Sequence, residues 1–571
     1  MTAYDDYKNS ISRTPVTLVV MTLDFCGRTF GSSPCLATGE PCYNTYPACK
    51  YKSAYLKQTK DYKFTSLGAP LPFKGNERPY LSKVSYMPTE IKETLTVNAR
   101  VKCEFADEPD TDVGIDPYVS QRSSVQGTYW KKLLARNPNY KGRQVKIYEG
   151  FLGLAESEFE QRFIGSIDNI TLGKSGVTIE VVDLLKSLAT IEVPPKLDIK
   201  LTSEATASQT TLVVSDVTGL DSPSGYVRIA DEIIYYTGVN TSTKELTGCT
   251  RGYFSTTAAI HSAKDKVQKV RYYVPANPFD ILKEMLLTDA AMDASYVDSA
   301  AFDYWRDWPG GEPNFSAIVS EPEKLEKLYF EIMNLVDCKS WVGEDLKITI
   351  RRNVPNQPGR SYHSITDEAN IVHGSLSVDL NQKSRLTRIS LFWDKNGIGK
   401  IDDMKEYNRI DIALDADAES ANEYNGVTEK KIFCRWLRKD YMDEDVLAQY
   451  IKNLILRLVR RQRDALPMVN LEAELKDSHI KTGEYASLTT GALQTTAGND
   501  VSGEKYQVVK RDFKGKALTL GLMKMSQRRI LILGPSSLPS YTAATEAQKE
   551  YGFLCASDAK MSDGSEGFYI W

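Results

Sequence analysis

Four cysteines lie close together near the beginning of the sequence. They fall within 24 residues, with gaps of eight, six and six residues between them: Cys26, Cys35, Cys42 and Cys49. The gaps contain three glycines and three prolines, namely Gly27, Gly31, Gly39, Pro34, Pro41 and Pro47. Glycine loses much backbone entropy on folding and proline removes a hydrogen-bond donor, so neither a regular helix nor a long strand fits this stretch. We therefore expect the four sulfur atoms to help to hold it in one conformation.

Three chemistries can hold four sulfur atoms on one short loop. Paired disulfides suit small secreted domains, and the sequence shows no recognisable signal peptide. Structural zinc sites usually take cysteines in pairs about two to four residues apart, and residues 26–49 contain no such pair. A 4Fe–4S cluster is larger than one metal ion, so longer spacers suit the four thiolates that must reach it. The spacing favours a cluster and leaves zinc, disulfides and unligated thiols open.

Composition and charge exclude some classes of protein. The 571 residues are 42% hydrophobic and 26% charged, as is usual for a globular protein of roughly three to five domains. The formal net charge of −4 gives no basic surface for nucleic acid. No apolar run approaches the ~20 residues that span a bilayer. We expect neither sequence-specific nucleic-acid binding nor stable membrane insertion.

Motifs of known enzyme classes do not occur in the sequence. It contains no Gly-rich phosphate loop, GxSxG elbow or HExxH helix. The histidines are far apart in sequence and favour loop or surface positions: His261, His363, His373 and His479. Any two of the 75 acidic residues could meet in space, so a pair of hydrolytic carboxylates stays open. We predict a structural protein without enzymatic activity.

Hydrophobic patterns in the first half of the chain predict strands. Residues 1–78 are interpreted as an N-terminal cysteine-loop domain that begins with a strand at 16–24. Alternating patterns predict a first β-barrel from residues 79–200 and 268–275, with one short helix near 128–135. Residues 201–267 are interpreted as a small β module inserted into this barrel.

The second half of the chain mixes helices and strands. Residues 276–365 predict a helical and mixed connector domain. Residues 366–530 predict a second β-barrel with a long helix at 443–464, for which Asp443 is the expected N-cap. The apolar face of that helix would consist of Leu447, Ile451, Leu454 and Leu458. Residues 531–571 are interpreted as a C-terminal arm. The fold class is therefore a β-rich, multidomain α+β protein.

The cysteine stretch resembles the cysteine block of the tail-tip proteins of long-tailed phages. That family includes the lambda-type tail-tip proteins and the baseplate hub of gene transfer agents. The resemblance rests on Cys26-Gly-Arg-Thr-Phe-Gly, Pro34-Cys35, Gly39-Glu-Pro-Cys42-Tyr-Asn-Thr and Cys49. The lambda-type proteins have a longer gap between the second and third cysteines and carry the block near their C-terminus. The predicted β module, with its turn at 248–252, is similar to a module found in phage tail proteins.

The resemblance implies a cofactor and an architecture. The cofactor would be a metal-binding 4Fe–4S iron–sulfur centre, with zinc as the alternative, held by Cys26, Cys35, Cys42 and Cys49. The architecture would be that of a baseplate hub with two hub-type β-barrels, a module inserted into the first, and a helical connector. In a homotrimer, two similar barrels per subunit would imitate a sixfold ring.

The resemblance also implies a function. The chain would be a structural virion protein of a bacteriophage tail tip, assembled in the host cytoplasm. It would convert sixfold tail-tube symmetry to threefold tip symmetry, close the tube and take part in viral genome ejection. Its partners would be the distal tail protein ring, the C-terminus of the tape-measure protein and a central tip fibre or receptor-binding protein. Alternatives are a cell-wall-degrading tail enzyme and a receptor-binding adhesin that exposes the aromatic stretch 302–315.

Overall fold

The computed structural model of the protein describes residues 4, 6–7, 14–36, 42–66, 77–86, 89–90, 100–110, 127–174, 176–308, 312–343, 345–352, 361–380, 385–396, 398–464, 467–473, 475–495, 497–513, 518–525 and 545. The chain divides into two compact units. The first comprises Met1–Thr89, Val97–Thr190 and Val342–Ile348, and the second comprises Glu90–Thr96, Ile191–Trp341 and Thr349–Trp571. Several sheets and few helices build both units, which confirms the prediction of a β-rich fold. The predicted arm lies outside the described residues, apart from Thr545.

The first unit contains a closed β-barrel. In chain order the first strands are β1 (Pro15–Cys26), β2 (Lys57–Ser66), β3 (Arg78–Tyr86), β4 (Thr89–Glu90), β5 (Arg100–Ala106), β6 (Gln144–Phe151), β7 (Glu160–Leu172) and β8 (Gly176–Asp183). The barrel closes in the order β1-β2-β3-β5-β8-β7-β6. Strands β2 and β3 run parallel, and the other neighbours run antiparallel.

A short helix contributes to the barrel core. Helix α1 (Tyr129–Arg136) lies where the sequence predicts a helix, and α2 (Leu184–Ser187) follows β8. The indole of Trp130 is fully buried and stacks on Phe64 of β2, with 4.7 Å between the ring centroids. Apolar residues of the barrel strands surround the two rings. The alternation of buried and exposed side chains along β5 is typical of a strand with one face in a core.

The structure corrects the prediction of a separate cysteine-loop domain at residues 1–78. Strands β1 and β2 belong to the barrel, and residues 27–56 connect them. The sequence of β2, KQTKDYKFTS, is dominated by polar residues because one face of the strand lies towards solvent. Its inward side chains, Tyr62 and Phe64, are only 4% and 0% exposed.

The second unit begins with small sheets. Its strands are β9 (Glu192–Val193), β10 (Ile199–Lys200), β11 (Thr211–Val213), β12 (Gly225–Ile229), β13 (Glu232–Tyr236), β14 (Gly238–Asn240), β15 (Glu245–Thr247), β16 (Thr250–Tyr253) and β17 (Lys266–Ala276). One sheet has the order β10-β17-β12-β13-β16 and another has the order β11-β15-β14. Their apolar side chains share one core between Ile199 and Val267.

The structure also corrects the predicted extent of the first barrel. The sequence predicts that residues 268–275 belong to that barrel. In the structure these residues lie in β17, which pairs with β10, β12 and β18 (Phe315–Val319) within the second unit. An alternating strand pattern predicts a strand but does not identify its pairing partner, because register and neighbours depend on residues far away in sequence.

Helices and short strands follow β17. They are α3 (Pro278–Glu284), α4 (Ser299–Arg306), β19 (Glu323–Lys324), α5 (Leu325–Leu335), β20 (Cys338–Val342) and β21 (Ile348–Arg352). Helix α3 begins with Pro278 in its first turn, and the side chain of Asn277 accepts a hydrogen bond from the backbone of Phe279. In α4, Trp305 is 5% exposed and its Nε1 donates to the carbonyl of Ile350 at 3.1 Å.

The last region contains two sheets and a long helix. Its elements are β22 (His363–Thr366), β23 (Ser377–Asp379), β24 (Arg388–Lys395), β25 (Tyr407–Leu414), α6 (Ala416–Glu419), β26 (Glu429–Phe433), α7 (Glu444–Gln462), β27 (Met468–Ala473), β28 (Tyr485–Gln494), β29 (Asp500–Phe513) and β30 (Leu518–Lys524). The larger sheet has the order β22-β28-β29-β30-β27-β23, and the smaller has the order β25-β24-β26. Among the described strands, the first and last strands of each of these two sheets do not pair with each other. A second closed barrel therefore stays a prediction.

The long helix confirms its predicted start. The carboxylate of Asp443 accepts hydrogen bonds from the backbone of Asp445 and Val446 at 3.0 and 3.2 Å. The first three residues of the predicted apolar face are buried, and the fourth is partly buried: Leu447, Ile451, Leu454 and Leu458. Within the described part of the chain, no helix is both long enough and apolar enough to cross a bilayer.

Candidate metal centre

The cysteine loop connects two adjacent barrel strands. Cys26 is the last residue of β1 and pairs with Lys57, the first residue of β2. Just beyond this pair, the backbone of Gly27 donates to the carbonyl of Leu56 at 2.9 Å. Residues 27–56 therefore leave and re-enter the barrel at one point, and the register of β1 with β2 fixes the position of the first cysteine.

All four predicted cysteines line one pocket. The pocket is partly open to solvent and is lined by Cys26, Arg28, Phe30, Cys35, Cys42, Asn44, Thr45, Cys49, Tyr51, Ala54 and Tyr55. Cys26 is 8% exposed, and the other three cysteines are partly exposed. The loop thus brings together side chains that lie up to 23 positions apart in sequence.

The four thiols influence one another electrostatically. Burial is the largest cause of the raised pKa of Cys42, and the negative charges of the other three cysteines raise it further. A hydrogen bond from the backbone of Asn44 acts in the opposite direction. Bringing several thiolates into such a pocket is unfavourable without a compensating positive charge, and a bound metal would supply one.

The geometry bears on the alternative chemistries. The eight described cysteines are all free thiols, so the four in the loop form no disulfide. Within the described residues, no group of three or more His, Cys, Asp and Glu side chains is close enough to hold a single metal ion. The four cysteines therefore line one pocket without forming a set of metal ligands in this structure, and the choice among a cluster, zinc and unligated thiols stays a prediction.

Asn44 connects two of the cysteines, and the sequence analysis did not identify it. This residue is 3% exposed and has a φ of 54°, in the left-handed region that Asn tolerates better than most residues. Its carbonyl accepts from the backbone of Cys26 at 2.7 Å, and its Nδ2 donates to the Cys26 carbonyl at 3.1 Å. Its backbone also donates to Sγ of Cys42 at 3.4 Å. Its position two residues after a cysteine is the only sequence signal for this role.

Aromatic contacts attach the loop to the barrel. The guanidinium of Arg136, at the end of α1, lies 4.1 Å from the ring centroid of Tyr43. Within the loop, Tyr46 and Tyr55 make an edge-to-face contact with their centroids 5.1 Å apart. Both contacts are of kinds that favour a fixed ring orientation. They constrain the segments on either side of Cys49 and beside Cys42.

His261, for which the sequence favours a loop or surface position, is only 3% exposed and belongs to a separate structural cluster around Glu232. Glu232 is 1% exposed, and its Oε1 accepts from Nε of Arg251 and from the backbone of Gly252, both at 2.8 Å. Its Oε2 accepts from Nη2 of Arg251 at 2.7 Å and from the backbone of Ala259 at 3.1 Å, and it lies 2.7 Å from Nε2 of His261. Every oxygen lone pair is engaged, so this cluster holds the module together and presents no open ligand position.

Comparisons with known proteins give weak similarities. No protein-family model matches the chain, and no curated protein matches it by sequence. Among solved structures, a tail protein from Neisseria meningitidis MC58 is 10% identical with a TM-score of 0.36, covering 78% of this chain and 92% of that one. The 43 kDa tail protein of prophage MuSo2 from Shewanella oneidensis is 8% identical with a TM-score of 0.36, covering 78% and 96%.

A third similar structure is the virion of a native gene transfer agent particle. A chain of that particle is 8% identical with a TM-score of 0.30, covering 78% of this chain and 81% of that one. At these scores the similarities establish neither a common fold nor a common function. The residues of the cysteine pocket therefore carry the functional interpretation.

Proposed function

We propose that the chain is the hub of a bacteriophage tail tip and that its cysteine loop holds a 4Fe–4S cluster. The observation that carries the proposal is the pocket lined by Cys26, Cys35, Cys42 and Cys49 at the end of a barrel hairpin. The same four residues carry the resemblance to the tail-tip family. Their sulfur atoms would be the ligands, and Asn44 would orient Cys26 and Cys42 through its hydrogen bonds.

The role of the cluster would be structural. When bound, it would supply metal–thiolate bonds, whose free energy is folding free energy for a loop that does not hold its own core. Among the described loop residues, Asn44 and Thr45 are buried and most others are exposed or partly exposed. The barrel core, in contrast, consists of residues outside 27–56. The cluster would therefore fix the shape of a surface that projects from a barrel which is already stable.

The position of the protein would be where the sixfold tail tube meets a threefold tip. Three subunits with two barrel-like regions each present six similar surfaces to the tube and three to the tip, which is an argument from symmetry. The partners in this proposal are the distal tail protein ring, the end of the tape-measure protein and a central tip fibre. Assembly would take place in the host cytoplasm, and the assembled tip would close the tube until genome delivery.

The cofactor and the assembly are tested separately. Protein purified without oxygen should be brown, with a broad absorption shoulder at about 400 nm and bound iron and sulfide. Cys42→Ser should lose most of the iron, whereas Cys249→Ser, at a buried cysteine of the small module, should keep it. If the purified protein is colourless and contains one zinc ion per chain, the cofactor is zinc and the proposed cluster is wrong.

Oligomeric mass tests the hub itself. Native mass spectrometry should detect a trimer, and a chain that stays monomeric at every concentration and salt would contradict the hub. The adhesin alternative requires exposed aromatic side chains at 302–315, where Phe302 and Trp305 are buried and Tyr304 is 51% exposed. A peptidoglycan turbidity assay tests the alternative of a cell-wall-degrading enzyme, and we expect no clearing of the suspension.

A further inference from the structure

Three polar atoms around the cysteine pocket lack partners. They are Nε of Arg28, Oγ1 of Thr45 and Oη of Tyr55, which are buried and make no hydrogen bond to any described residue. All three residues line the pocket together with the cysteines. Buried polar atoms in folded proteins nearly always have a hydrogen-bond partner. An acceptor bound in the pocket would satisfy all three atoms.

The backbone fixes Thr45 beside the sulfur atoms. Thr45 is 4% exposed and follows Asn44, whose left-handed backbone and hydrogen bonds to Cys26 and Cys42 set the direction of the chain. Its hydroxyl group can donate one hydrogen bond. The hydroxyl group of Thr45 therefore belongs to the lining of the same pocket as Cys26 and Cys42, and it has no acceptor among the described residues.

Arg28 and Tyr55 approach from other segments of the loop. Arg28 lies two residues after Cys26, and its carbonyl accepts from Nδ2 of Asn44 at 3.4 Å. Tyr55 lines the same pocket as Cys26 and Cys49. The guanidinium Nε and the phenol can both donate, and the guanidinium is positively charged as well. All three groups thus suit a negatively charged acceptor.

We propose that Arg28, Thr45 and Tyr55 donate hydrogen bonds to sulfur atoms of the iron–sulfur group held by the four cysteines. This inference rests on the proposed cluster and adds the residues that tune it. Hydrogen bonds to the sulfur atoms of a cluster, and positive charge beside it, stabilise the more negative reduced state most. The three donors therefore raise the reduction potential of the centre and slow the loss of its iron.

The test uses the full chain with its cluster reconstituted under nitrogen. Tyr55→Phe and Thr45→Val each remove one hydroxyl group with little change of shape, and Arg28→Met removes the guanidinium group with its charge. Tyr235→Phe is the control, because Tyr235 belongs to β13 and does not line the pocket. Voltammetry measures the one-electron couple, in which the electrode supplies the electron and no proton is transferred.

Each donor variant should be harder to reduce than the wild type. We expect the equilibrium constant for one-electron reduction to fall by up to about tenfold per donor, which is about 59 mV for a one-electron couple. Resonance Raman bands of the iron–sulfur stretches should shift in the same variants, and Tyr235→Phe should match the wild type in both measurements. A folded donor variant that loses iron to a chelator faster than Tyr235→Phe also supports the contacts.

Two results overturn the inference, and they are distinguishable. In the first, the wild-type protein holds iron and sulfide, and all three donor variants have the same reduction potential and Raman bands as the wild type. This result overturns only the roles of the three donors. Wild-type protein that holds no iron or sulfide after reconstitution overturns the proposed cluster, and the donor roles with it.

Discussion

The buried carboxylate of Glu232 offers a quantitative test of how the small module is stabilised. Its two oxygens accept from Arg251, from two backbone amides and from His261. In Glu232→Gln the side chain keeps its shape but replaces one acceptor by an NH₂ group that faces other donors. Breaking a buried ion pair from one side costs about 3–5 kcal/mol because the remaining charge is left without its partner.

The pH dependence gives an independent magnitude. Burial acts against ionisation of Glu232, but hydrogen bonds from Arg251, Ala259, Gly252 and His261 outweigh it and lower the pKa from 4.5 to about 2. This difference corresponds to about 3 kcal/mol. Since the pKa is lower in the folded state, the stabilisation is complete above pH 4.5 and is lost as the pH falls towards 2.

Hydrogen exchange of the module measures this effect locally. Mass spectrometry of peptides from β12 and β13 reports the free energy of local opening even in a protein with several units. Glu232→Gln should lower it by about 3 kcal/mol at pH 7, and the difference from the wild type should shrink between pH 4.5 and 2. Glu321→Gln is the control, because Glu321 is 70% exposed and pairs with Arg228 at the surface, where such pairs contribute about 0–1 kcal/mol.

Equal protection of Glu232→Gln and the wild type at pH 7 would refute this reasoning. So would a difference that does not change with pH below 4.5, because it would show that the carboxylate is not the group that titrates. A loss of stability in Glu321→Gln as large as that in Glu232→Gln would point to a general effect of the removed charge.

Three further predictions concern single residues. Asn44→Ala should retain less iron than Asn44→Gly, because both lose the side-chain hydrogen bonds while only Ala is strained at a φ of 54°, by about 1 kcal/mol; equal iron release to a chelator would contradict this. Asp443→Ala should destabilise α7 by about 1 kcal/mol, measured by exchange of its first turn, whereas Asp440→Ala at an exposed position should not. Trp130→Ala should destabilise the barrel by about 3–5 kcal/mol in urea unfolding, and a loss below 1 kcal/mol would show that the ring is not a core residue.

Local patterns in the sequence predict local structure well. The start of α7 follows from Asp443 and the apolar spacing after it, since the cap and the buried face depend on residues within a few turns. The four cysteines also lie close together in sequence, and the structure places them around one pocket. In both cases the interacting residues are neighbours along the chain.

Structure that depends on distant partners could not be predicted in the same way. The sequence of β2 is mostly polar and does not indicate that Tyr62 and Phe64 face a barrel core. That core is built from strands that precede and follow β2 in the sequence. Strand β17 was recognised as a strand, but its partner β18 lies about 40 residues further along, and nothing in its own pattern identifies it. Glu232 was not identified either, because a single Glu in a strand looks like a surface residue until Arg251 and His261 are brought to it.

The barrel and the cysteine loop depend on different sources of stability. The barrel buries Trp130, Phe64 and the apolar faces of its strands, and these contacts require no bound group. The loop has short-range hydrogen bonds, two aromatic contacts and a pocket with three unsatisfied donors. Cys26 belongs to both parts, since it ends β1 and lines the pocket. In the proposed cluster, a rigid strand would present one ligand in advance, and the remaining three would need only the ordering of one loop, which would lower the entropy cost of binding.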